Sequence, residues 1–171
     1  MLFLKFIQAI VKALNSEGTP GQVAAGMAFG AALGLTPLLN LHNFLIVLLV
    51  LILNVSLAGF SLGWLMFVPI GFLLDPLFDA IGNALLGNES LQPLWTSLAN
   101  APLIPFTNFH NTVVLGSVVF WMLAWLPIFL LARWGVTRYR ATLYQRLKQT
   151  RLFQVVRASA LYKVYSWFHP A

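Results

Sequence analysis

Two of the three histidines in this chain, His42 and His110, hold the same place in two copies of one motif. Leu35-Thr36-Pro37-Leu38-Leu39-Asn40-Leu41-His42-Asn43 recurs as Leu103-Ile104-Pro105-Phe106-Thr107-Asn108-Phe109-His110-Asn111, so both copies read L-x-P-x-x-N-x-H-N. Each copy stands immediately before a strongly apolar run. A histidine in such a setting could carry a proton, hydrogen-bond a lipid headgroup, or bond its counterpart across a symmetry axis. Asn40 or Asn43, and Asn108 or Asn111, are placed to cap the helices that follow, satisfying backbone donors that are costly to leave bare in lipid. Pro37 and Pro105 push the preceding residue out of helix, which marks both copies as turns. Helix starts beside the histidines would present positive dipole ends, suited to a phosphate or carboxylate. The substrate-binding candidates are therefore Asn40, His42, Asn43, Asn108, His110 and Asn111, with Pro37 and Pro105 at the hairpin tips.

Other chemistries find less support. Two histidines without a nearby acid are too few ligands for a metal site. No nucleophile–base pair or paired acid stands out, so neither a catalytic residue, nor a cofactor, nor an enzymatic activity is expected. Asp75 and Asp79 share a helix face but read as charges that solvate a loop. The chain contains no cysteine, which excludes disulfides and thiol chemistry.

The elements that must position these residues are set by composition. Hydrophobic residues make up 60% of the chain and charged residues 8%, far from the balance of a soluble domain. No charge lies between Glu17 and Asp75, or between Glu89 and Arg133. Each gap accommodates at least one crossing of a bilayer core about 30 Å thick. An all-α integral membrane protein follows.

Residues 1–15 place Lys5, Gln8 and Lys12 on one stripe of an apolar helix, the pattern of an interfacial helix. Nothing in Met1–Lys5 has the order of a secretory signal, so retention of the segment is expected. Residues 16–90 form a first membrane repeat, consisting of a small-residue helix over 20–36, the motif tip and a transmembrane helix. Within it Gly26, Gly30 and Gly34 fall four apart on one face, an arrangement that brings helix backbones close in lipid. The apolar stretch from Asn43 to Asp75 is too long for one upright crossing, so it either breaks near Pro69 or turns around near Ala58–Gly63. Residues 91–133 form the second repeat. There Pro93, Pro102 and Pro105 favour a re-entrant hairpin over a spanning helix, and Asn111–Ala132 supplies a crossing with a kink at Pro127. Pro127-Ile128-Phe129-Leu130-Leu131 echoes Pro69-Ile70-Gly71-Phe72-Leu73-Leu74, in the same order after the motif, which favours duplication. Residues 134–171 form a basic amphipathic tail.

Eight Lys or Arg and no acid between Arg133 and Lys163 place that tail in the cytoplasm, and Lys5 and Lys12 place the N-terminus there too. The crossings are then even in number. Two crossings with re-entrant hairpins, whose tips meet from opposite faces as an inverted repeat, are favoured over four crossings. The tail's charge suits anionic lipid better than nucleic acid, which is not an expected partner.

Gly18-Thr19-Pro20, the A-x-G-x-A-x-G texture from Ala24 to Gly34, Pro37, and the apolar run toward Asp75-Pro76 and Gly82 resemble a bacterial membrane family known as domain of unknown function 2062. The resemblance covers roughly residues 16–87. Leu41-His42-Asn43 replaces the Gly-Gln type turn of many members, and the second motif copy and basic tail suggest a distinct subgroup. The resemblance implies an inner-membrane protein without implying an activity. The reading that follows is a small multi-pass protein of the bacterial inner membrane, both termini cytoplasmic. It would handle a lipid or small amphiphilic anion, as a transporter or as a membrane subunit of an envelope lipid-trafficking system. The alternative is a non-transporting scaffold that docks a larger partner, or a second copy, through its glycine faces.

Overall fold

The computed structural model describes residues 18–143. The interfacial helix expected over 1–15 and residues 144–171 of the basic tail lie outside the described residues. Among the described residues the protein is all helical, with α1 at Pro20–Leu35, α2 at Leu41–Ile52, α3 at Leu57–Leu86, α4 at Gln92–Ala99 and α5 at Thr112–Arg138. Short 3-10 turns at Glu89–Leu91 and Ile104–Thr107 flank α4, and a π-helical turn at Tyr139–Leu143 extends α5.

Each boundary has a local cause. Thr19 accepts from the Gln22 amide at 3.2 Å, and the Gln22 side chain accepts from the Thr19 amide at 2.7 Å, a reciprocal cap with Pro20 just inside the helix. α1 stops at Thr36, held extended (φ −106°, ψ 146°) by the proline that follows. Ser56 starts α3 by accepting from the Gly59 amide at 3.1 Å. The Ser56 amide also donates to the Gln22 carbonyl at 3.1 Å, bringing the start of α3 beside the start of α1.

The core is three helices held by glycine contacts. A Cβ on Gly26 would meet the backbone of Ser56 and Phe60, and one on Gly30 the backbone of Phe60 and Trp64. On Gly34 it would lie 2.9 Å from the Trp64 carbonyl. The partners rise in step, so α1 and α3 run parallel. α3 answers with Gly59 on Val23, Gly63 on Met27 and Gly71 on Gly34. α5 returns antiparallel, its Gly116 against Phe78 and the Thr112 backbone against Gly82. Phe78 is fully buried at that crossing, with the Phe120 ring 5.3 Å away. Trp121 donates to the Ala28 carbonyl at 3.4 Å, and Arg140 donates to the Gly18 carbonyl at 2.8 Å, closing α5 onto α1.

α3 and α5 are long and apolar enough to cross a membrane, about 45 and 40 Å at 1.5 Å per residue. Only 22% of the most apolar window of each is buried, unlike the core helix of a soluble domain. α1 and α2 come to about 24 and 18 Å, short of a bilayer core of about 30 Å.

The structure corrects the sequence reading at two places. The chain between α2 and α3 reverses at residues 53–56, earlier than the expected turn near Ala58–Gly63. Pro69 does not break α3, which runs unbroken through Pro69 and Pro76. α2, which starts at the first motif copy, descends beside α1, and α5, which starts at the second, also descends. The helices launched by the two motifs thus run in the same sense, while the two long helices, α3 and α5, run antiparallel.

Candidate binding cleft at the paired turns

The first copy of the motif forms the α1–α2 turn. Asn43 is 3% exposed and fully bonded. Its amide donates to the carbonyls of Pro37 at 2.5 Å and Leu38 at 3.2 Å, and its oxygen lies 2.7 Å from the Thr36 hydroxyl. That hydroxyl also lies 2.9 Å from the Ala32 carbonyl. Asn40 precedes α2 but makes no side-chain cap; its amide donates instead to the Pro37 carbonyl at 2.7 Å. Asn43 and Asn40 therefore hold the turn rather than capping α2.

The second copy uses the same residue types differently. Asn111 caps α5, accepting from the Val114 amide at 3.1 Å. Asn108 takes a left-handed backbone (φ 54°), which ends the 3-10 turn and which Asn tolerates better than most residues. In both copies the second Asn amide donates to the first Asn carbonyl, at 3.1 Å for Asn43 to Asn40 and 2.9 Å for Asn111 to Asn108. The helix begins just after the first Asn in one copy and just after the second in the other. The two copies are alike in sequence and different in structure.

They nevertheless come together. Asn108 donates to the Asn40 side-chain oxygen at 2.5 Å, joining residues 68 positions apart. The His42 ring makes a hydrogen bond with the backbone of Thr107, while its Nε2 is buried without a partner among the described residues. His42 and His110 do not bond each other. His110 is exposed, edge-on to Phe109.

A cleft of about 550 Å³ lies between the two turns, lined by Pro37, Asn40, Asn108, His110, Asn111 and the start of α5. Its polar groups are unevenly engaged. The Asn108 amide is spent within the turns, the Asn40 amide gives one N–H to Pro37, and the Asn111 oxygen accepts from Val114. The Asn111 amide and the His110 ring remain, together with the backbone amides of Thr112 and Val113, which a helix start leaves without an i−4 carbonyl. No lining residue bears a fixed charge. The cleft offers donors, arranged for an acceptor-rich or anionic group.

A family described as "Uncharacterized protein conserved in bacteria (DUF2062)" matches residues 4–144. The chain belongs to this family. A relative from Treponema pallidum (strain Nichols), described as an uncharacterized protein, is 32% identical over 162 residues, 94% of this chain and 99% of the relative. No solved structure matches the chain. The DUF2062 match extends well beyond the expected limit near residue 87 and takes in both motif copies, so the paired turns belong to the family's span.

Two positioning residues of this DUF2062 protein escaped the sequence reading. Asp79, read as loop-solvating, accepts from the Thr112 hydroxyl and from the Asn83 amide at 3.0 Å, tying α3 to the first residue of α5. The spacing of Asp79 and Asn83 was the available signal. Trp95 donates to the Leu85 carbonyl at 3.0 Å and stacks on Phe109, so α4 braces the second turn from the far end of α3.

Proposed function

We propose that this DUF2062 protein is a multi-pass protein of the bacterial cytoplasmic membrane whose cleft receives the polar end of a lipid or small amphiphilic anion. It acts by binding and passage rather than covalent chemistry, as a transporter or as the membrane subunit of an envelope lipid-trafficking system. In this reading α3 and α5 cross the bilayer. The α1–α2 hairpin enters from the cytoplasmic face, marked by Arg133, Arg138 and Arg140, and turns back at Pro37. Residues 89–111 cover the opposite end, near Glu89.

The observation that carries the proposal is the donor-bearing cleft built where two distant turns meet, beside helices that expose many large apolar side chains. Polar groups at membrane depth are costly and are placed where function uses them. The scaffold reading loses its surface, because the glycine faces that would dock a partner are filled by this chain's own helices.

Native mass spectrometry of protein released from membranes containing phosphatidylglycerol and phosphatidylethanolamine tests the proposal. Retention of the anionic lipid is expected, falling about tenfold in Asn111→Asp, a change worth about 1.4 kcal/mol. Equal retention of both lipids by both proteins would refute it.

A further inference from the structure

We propose that the cleft and a neighbouring apolar groove are the two ends of one amphiphile site, with the headgroup in the cleft and an acyl chain along α2; this rests on the reading of the cleft given above. The groove, about 600 Å³, is bounded by Leu33, Leu38, Leu41, Phe44, Val47 and Phe106. Leu39 and Asn40 line both spaces, so cleft and groove adjoin across two residues at the Asn40–Asn108 hydrogen bond.

Chemistry changes sharply at that boundary. On one side stand the His110 ring and the Asn111 amide. On the other the side chains are hydrocarbon apart from Asn40 at the junction, held by Pro37 and Asn108, and Asn43, consumed by Pro37, Leu38 and Thr36. The groove is mainly hydrocarbon, whereas the cleft sets the His110 ring and the Asn111 amide beside Pro37, Val113 and Val114. Leu39, at the junction, is 95% exposed, an apolar side chain without protein cover beside a polar site. A molecule with a phosphate or carboxylate joined directly to a hydrocarbon chain satisfies both sides at once. In a bilayer the groove adds little affinity, because surrounding lipid is as apolar as its walls. It adds orientation, and it selects a chain-bearing anion over a free one.

Photo-crosslinking in phosphatidylcholine vesicles tests this on the full chain, using a monoacyl glycerophosphate with a diazirine in mid-chain and mapping adducts by mass spectrometry. Adducts on Val47 and Phe106 should exceed those on Leu45 and Leu49, which are exposed on the side of α2 turned away from Val47. Asn111→Asp should lower the groove adducts about tenfold and leave the outer-face adducts unchanged. The Asp keeps α5 capped, because its oxygen can still accept from Val114, while it removes a donor and adds a like charge. Adducts spread evenly over groove and outer face, or groove adducts indifferent to Asn111→Asp, would overturn the single-site proposal. A second probe carrying the diazirine on its glycerol separates the two readings. If it labels His110 and its neighbours in an Asn111-sensitive way while the chain probe ignores the groove, the cleft stands and this proposal falls. If neither probe localises, both fall.

Discussion

At the first turn Asn43 uses its whole hydrogen-bonding capacity on Thr36, Pro37 and Leu38 in a site almost closed to solvent. Removing that side chain takes away three hydrogen bonds, each worth about 0.5–1.5 kcal/mol net; the Pro37 and Leu38 carbonyls keep Asn40 as a donor, and the Thr36 hydroxyl keeps the Ala32 carbonyl. Asn43→Ala should destabilise the protein by about 3 kcal/mol, against about 1 kcal/mol for Asn111→Ala, which loses one helix cap. Thermal unfolding in a mild detergent measures both, and equal losses would show that the two asparagines are equivalent. The sequence marked both residues for polar roles, but spacing alone made them interchangeable. What separates them is backbone: Asn108 turns left-handed and delays the second helix by three residues relative to the motif. Nothing in L-x-P-x-x-N-x-H-N encodes that difference. The flanking residues do, since Trp95 and Asp79 fix the second copy from α4 and α3.

The glycine ladder on α1 was legible from its four-residue spacing, because glycine repeats in a lipid-facing helix have few uses other than close packing. The partner, α3, was harder to see. Its N-terminus follows Leu53-Asn54-Val55-Ser56, a reversal without glycine or proline inside an apolar run, so hydropathy alone could not separate α2 from α3. The internal prolines misled in the other direction. Pro69 and Pro76 each cost one backbone bond, a loss that packing in the bundle absorbs while the helix continues. Packing also sets a prediction. Gly30→Ala puts a methyl against the Phe60 carbonyl and should cost about 3 kcal/mol or more. At Gly135 nothing lies within 4 Å, so Gly135→Ala should be neutral or gain up to about 1 kcal/mol of helix propensity. The yield of folded monomer on size exclusion, with unfolding temperature, compares the two; similar behaviour would contradict the glycine-mediated core.

Taken whole, the molecule is two long apolar helices, a short helical hairpin laid along them, and a braced turn at the far end. Large apolar side chains such as Phe72, Leu73, Leu123 and Leu131 remain uncovered on its outside, the surface that the proposed membrane setting requires. A polar cleft opens where the two histidine turns meet. Composition pointed to the two long apolar helices, and the motif to the two turns that the structure brings together. The sense in which the helices run past it follows from the α2–α3 reversal. Flux through reconstituted vesicles tests the account most directly. Vesicles containing the protein should move a fluorescent monoacyl glycerophosphate between leaflets faster than protein-free vesicles, and Asn111→Asp, folded and equally incorporated, should slow that movement about tenfold. Movement at the protein-free rate, or an equal rate for the wild type and Asn111→Asp, would contradict it.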